Sequence, residues 1–159
     1  MGRPEQDAHR DETEAEKLDR NWNDILQELR VMQTGTQLVA GFLLTLPFTT
    51  RFDDLTELEE ATYLTLVLLA GLTLAVMITP ISIHRRLFGE QVKDKLVSAA
   101  HRLLVVSLAL VGVLITGIIV FIFQVVIGTT VALAVGGGAA LVVVLLLVVL
   151  PIVILPRRG

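Results

Sequence analysis

The stretch LDRNWNDILQELRVMQTGTQLVAGFLLTLP, residues 18–47, decides the fold, because a charged amphipathic pattern runs into an apolar one with no helix breaker before Pro47. Leu18, Trp22, Ile25, Leu26, Leu29 and Met32 recur at the 3.6-residue period of one helix face. The stretch reads as one long helix that begins in water and ends in lipid. Followed upward in steps of four, the same face carries Gln33, Gln37, Gly41 and Thr45, so an apolar stripe in water becomes a polar, small-residue stripe in the membrane. A stripe of that kind is expected to face protein, since hydrocarbon does not solvate an amide.

Composition agrees with a bilayer location. Of the 159 residues 53% are hydrophobic and 18% charged, and the mean hydropathy is +0.73; soluble domains average roughly 45–50% apolar and about 25% charged. The apolar residues come in blocks near the ~20 residues that cross a hydrocarbon core of about 30 Å. With no cysteine, the chain has no disulfide, thiolate metal site or cysteine nucleophile. The polar start carries no apolar core behind a basic segment, so no cleavable signal is expected.

Outward from the deciding stretch, residues 1–17 hold no large apolar residue beyond Met1 and read as a disordered acidic tail, leaving 18–159 as the membrane domain. Thr13-x-x-Glu16 and Thr56-x-x-Glu59 match capping boxes, the second with Glu57 and Glu60 also placed near a helix N-terminus. Four spans are expected, at about 31–48, 61–79, 103–127 and 131–155. Pro80 is expected to mark the exit of the second. A second amphipathic stretch, with Val92, Leu96, Ala99, Ala100 and Leu103 on one face, leads into the third span, which thus copies the first. Gly128-Thr-Thr130 is a short uncharged turn. In the last span Ala132, Gly136 and Ala140 form a ridge allowing close helix approach, and Pro151 is expected to kink the final turns. The fold class is an all-α, four-span bundle with helices one and three extended into the cytoplasm.

Basic residues give the orientation. Five of the 13 Lys and Arg precede the first span, five (Arg85, Arg86, Lys93, Lys95, Arg102) lie between the second and third, and two end the chain, leaving Arg51 on the other side. Both termini are therefore expected in the cytoplasm of a bacterial, multi-pass inner-membrane protein. Arg85, Arg86, Lys93 and Lys95 are candidate contacts for lipid head groups. Candidate stalk contacts are Leu18, Trp22, Leu26 and Leu29 against Val92 and Leu96. Gln33, Gln37 and Thr45 form the candidate polar intramembrane stripe. His84 and His101 flank the connector without a third ligand nearby in sequence, and read as interfacial side chains. The acidic group Asp53, Asp54, Glu57, Glu59 and Glu60 reads as helix capping and a solvated loop. No cofactor or metal site and no nucleic-acid surface is indicated, since the segment up to Arg30 is acidic.

The run from Glu14 to Leu38 with its LQELRV core, the segment GFLLTLPF at 41–48 with Arg51-Phe52, and the connector Pro80…His84-Arg85…Phe88 resemble an uncharacterised family of small actinobacterial membrane proteins with a domain of unknown function. The resemblance covers about residues 12 to 155. It implies a four-helix inner-membrane protein with no catalytic residue to carry over; members are sometimes labelled sodium:proton antiporters. The residues favour a non-enzymatic protein of the cytoplasmic membrane with a structural or interaction role and a cytoplasmic helical stalk, whose partners are the bilayer and either a second copy or another membrane protein. The alternative is a small oligomeric transporter or channel built around the stripe of helix one, the antiporter included. No Asp, Glu, Lys, Arg or His falls inside the four expected spans, where coupled carriers usually hold one.

Overall fold

The computed structural model describes residues 13–86 and 93–154, and among them every regular element is helical. Helix α1 spans Glu14–Thr45, α2 Glu57–Arg86, α3 Lys93–Val126 and α4 Thr129–Val144; a π-helical turn at Leu145–Val149 joins α4 to the short α5, Leu150–Ile154. Three stretches are long and apolar enough to cross a bilayer: Glu57–Ile83, Val97–Val126 and Thr129–Ile154. The first helix is not among them. Above Arg30 its α-helical part runs over residues 31–45, about 22 Å at 1.5 Å per residue, and carries two glutamines and three threonines before it tightens into 3₁₀ turns at Leu46–Phe48 and Thr50–Asp54.

Both capping boxes form. The Glu16 carboxylate accepts from the Thr13 N–H at 2.9 Å while the Thr13 hydroxyl accepts from the Glu16 N–H at 3.3 Å. Thr56 and Glu59 repeat the exchange at 2.8 and 3.4 Å. The expected tail is shortened accordingly: the helix starts at Glu14, because the box satisfies its first orphan donors a turn before the apolar stripe begins. Residues 1–12 lie outside the described residues.

One sequence expectation about proline is corrected. Pro80 does not end the second helix; α2 continues past it to Arg86, with Pro80 buried. Proline forfeits one bond to a carbonyl four residues back, a local loss that the packing of buried Pro80 in the core offsets. At Pro151, where a kink is expected, the helix carries a π-turn just before the ring, in which the Leu150 N–H donates to the Leu145 carbonyl.

Helices α1, α2 and α3 form the core, and α4 packs on α3. Trp22, Ile25 and Leu29 meet Met77, Ala100 and Leu104 at one end; Leu43 meets Tyr63, Leu66, Leu114 and Phe121 at the other. Hence α1 and α3 run parallel and α2 antiparallel to both. The buried seam keeps a seven-residue step on all three: Trp22, Leu29, Thr36 and Leu43 (8, 3, 4 and 4% exposed), then Tyr63, Ala70 and Met77, then Ala100, Ser107, Leu114 and Phe121. Seven residues turn a helix through 700°, within 20° of two full turns, so such a track stays on one face. The α3–α4 reversal rests on Gly128 at φ 113°, the one positive φ among the described residues, with the Ile127 and Gly128 N–H groups both donating to the Phe123 carbonyl.

Candidate functional site

The lower, charged half of α1 is the expected stalk. Its apolar stripe is already covered: Trp22, Ile25 and Leu29 are buried, Leu26 packs beside them, and Leu18 is half-buried. The covering residues are Met77, Ala100 and Leu104, one step further along α3 than the sequence pairing placed them. Val92 and the side chain of Leu96 lie outside the described residues. The stalk thus pairs within its own chain, and a contact surface for anything else must be sought elsewhere.

Within its own chain the upper part of the polar stripe faces outward, so any protein it faces lies beyond this chain. Gln33 is half-buried, but Gln37, Gly41 and Thr45 are exposed. Steps of four advance a helix by 400°, so each moves 40° off the seam, and after three the track has left the core. Thr36, on the seven-residue track, takes the buried place that Gln37 was expected to hold. Gln37 sits between the levels of Leu29 and Leu43, and at that height α2 turns Leu68 (74% exposed) and Leu72 (53%) outward, and α3 turns Val113 outward. A carboxamide therefore stands on an outer surface that is otherwise apolar at the same height. No atom lies within 4 Å of where a Cβ on Gly41 would sit, so this face is open. Thr34 and Thr45 donate back to the carbonyls of Arg30 and Phe42, at 2.9 and 2.7 Å, which leaves their oxygens free to accept.

Two polar features escaped sequence reasoning. Tyr63, the chain's only tyrosine, donates its hydroxyl to the Leu43 carbonyl at 3.0 Å, a second bond to an acceptor that the Leu46 N–H also engages, and its ring meets Phe52 edge-on at 5.1 Å. A lone tyrosine just inside an apolar segment was the available signal. The second feature is a hydroxyl layer: Thr36, Thr73 and Ser107, all buried, each lie on the seam between the two apolar clusters. Thr73 donates to the Leu69 carbonyl at 2.7 Å, and Ser107 Oγ has no partner among the described residues. A turn about its Cα–Cβ bond offers Ser107 the carbonyl one turn back, the bond Thr116 makes to Gly112.

Arg85 is exposed near the end of α2, while the side chains of His84, Arg86, Lys93 and Lys95 lie outside the described residues. His101 is exposed on α3. Among the described residues no group of three His, Cys, Asp or Glu could hold a metal ion. In the outer loop Arg51 and Asp54 stand 4.0 Å apart, both well exposed, and such pairs contribute little. The backbone N–H and then the hydroxyl of Thr13 hold the Glu16 carboxyl below the usual glutamate range.

The chain belongs to a family of unknown function, DUF6328, whose model matches residues 11–151. The resemblance read from the sequence thus holds at the level of an uncharacterised family. No curated protein and no solved structure matches the chain.

Proposed function

We propose that this member of the family is a non-enzymatic, four-span protein of the bacterial cytoplasmic membrane, with both termini cytoplasmic, that acts by protein contact through the outward face of α1. The packing of α1 supports a fourth span. If α2 crosses the bilayer between Tyr63 and Met77, then α1, packed alongside it from Leu43 down to Leu29, crosses the same layer despite its lower hydropathy. The orientation is supported by Lys17, Arg20, Arg30, Arg85 and Arg102, which lie at one end of this arrangement, against Arg51 at the other.

The observation that carries the proposal is Gln37, exposed at a height where the neighbouring helices present leucine and valine. An amide left in hydrocarbon costs several kcal/mol, on the order of 4–8 on a water-to-alkane scale. Something must cover it. The face is uncharged, its amide offers donors and an acceptor and its hydroxyl oxygens offer acceptors, so it complements itself; open Gly41 one turn above allows a close helix approach. A second copy is the partner that fits.

The chain has no native cysteine, so Gln37→Cys makes a single-thiol protein. Oxidation in native membranes should give a dimer crosslinked at position 37, whereas Leu68→Cys, at equal height on α2, should give none. Absence of any adduct at position 37 would overturn the proposal. The same exposed stripe favours one rival, a hydrated path enclosed by several copies. Ion flux in proteoliposomes that vanishes in a correctly assembled Gln33→Leu/Gln37→Leu protein would establish transport instead.

A further inference from the structure

Three hollows follow one another along a single face of α3. The lowest is a polar cleft of about 600 Å³ between the lower halves of α1 and α3, lined by Asn21, Asp24, Ser98, His101 and Arg102. Asp24 also borders the next, about 620 Å³, where Val31, Met32 and Leu108 begin an apolar wall. Leu108 in turn borders the third, a groove of about 570 Å³ between α3 and α4 whose wall includes Ala109, Gly112, Ala140, Val143 and Leu147. Polarity thus falls along the series, and the shared residues Asp24 and Leu108 make it continuous.

The change of polarity comes at the membrane surface expected from the charges. Arg30 and Arg102 are the last charged residues before the apolar parts of α1 and α3, and the cluster holding Leu29 and Leu104 lies at that level. The polar cleft therefore sits at head-group height and the groove at acyl-chain height. Among the described residues neither Asp24 nor Arg102 forms an ion pair, although both face the cleft. One cation and one anion in one cleft, neither ion-paired among the described residues and both beside amide, hydroxyl and imidazole groups, match a head group that itself carries both charges.

We propose that this continuous groove binds one glycerophospholipid with a primary-ammonium head group, of the phosphatidylethanolamine kind. Arg102, with Ser98 and Asn21, takes the phosphate oxygens, Asp24 takes the ammonium, and an acyl chain lies against Ala109 and Ala140 between α3 and α4. The ammonium has three N–H donors that a trimethylated choline lacks, and a glycerol head group offers Asp24 no cation. The proposal rests on the membrane-spanning reading above but not on contact between copies.

The test is native mass spectrometry of the delipidated full chain titrated with palmitoyl-oleoyl phosphatidylethanolamine, phosphatidylglycerol or phosphatidylcholine. The wild type should retain one phosphatidylethanolamine at least tenfold more tightly than either competitor. Arg102→Gln should weaken retention of phosphatidylethanolamine and phosphatidylglycerol alike by about tenfold or more, with Arg102→Lys intermediate should the glutamine variant not fold. Asp24→Asn should abolish the preference over phosphatidylglycerol. Ala109→Leu, which fills the groove from an exposed position, should weaken all three lipids equally. Glycerophosphoethanolamine, which has the head group without the chains, should compete on the order of a hundredfold less well. No selectivity among the lipids, or selectivity unchanged in both charge variants, overturns the proposal, as does equal competition by the chainless head group. Gln37→Leu should leave lipid selection untouched, so the two readings stand or fall separately.

Discussion

Helices α1 and α4 both pack on α3, and they do so by opposite means. The seam of α1 is built from large side chains in its lower half, Trp22, Ile25 and Leu29, which leave water when they close on Met77 and Leu104. Helix α4 is apolar on every side and presents small residues inward: Ala132 and Gly136 are its buried positions, a Cβ on Gly136 would collide with Val120, and Gly112 of α3 receives Val143 in return. Where water surrounds the helices, burial of bulk holds them. Where lipid does, burial gains little, and close backbone approach takes over.

Trp22→Ala is the strongest way to break this comparison. If the lower half of α1 is held by hydrophobic burial, the change should destabilise the protein by about 3–5 kcal/mol, read from reversible unfolding in micelles. A loss below 1 kcal/mol would mean that the ring is not part of a core. Gly136→Leu should cost less, about 1–3 kcal/mol, because Val120 must move to admit the side chain. As Trp22 is the only tryptophan, its emission reports on the α1 contact alone and should stay unchanged in this variant; a red shift would show that α4 and α1 are not independent.

A finer test lies where α1 ends. Tyr63→Phe removes the bond to the Leu43 carbonyl but keeps the ring against Phe52, so it should cost about 1 kcal/mol in the same unfolding measurement. The smallest effect belongs to Glu16. Because its carboxyl is held below the ordinary glutamate range, the box contributes stability above that range and loses it as pH falls through the lowered value. Amide exchange at Glu16 and Lys17, whose N–H groups the box and the first turn engage, should accelerate in acid relative to the rest of α1. Uniform acceleration along the helix would point to a different cause.

By itself the sequence determined the helical class, the three long apolar spans, both capping boxes and the turn at Gly128, since each depends on neighbours within a few residues: hydropathy over a window, a side chain reaching three positions ahead, or a backbone angle that glycine tolerates. It also marked Trp22 and Leu29 as stripe residues. What only the tertiary structure decided is which way each stripe turns over a distance. On α1 a four-residue track and a seven-residue track share Leu29, yet they separate by 40° at every step of four, so Gln37 and Thr45 end outside while Thr36 and Leu43 end inside. Residue polarity favoured the wrong track, because Thr36, Thr73 and Ser107 do not look like core positions until three helices place them between the same two clusters. Pro80 was hidden for a related reason: its breaking tendency is local, but the packing that buries its ring within α2 is set by the neighbouring helices.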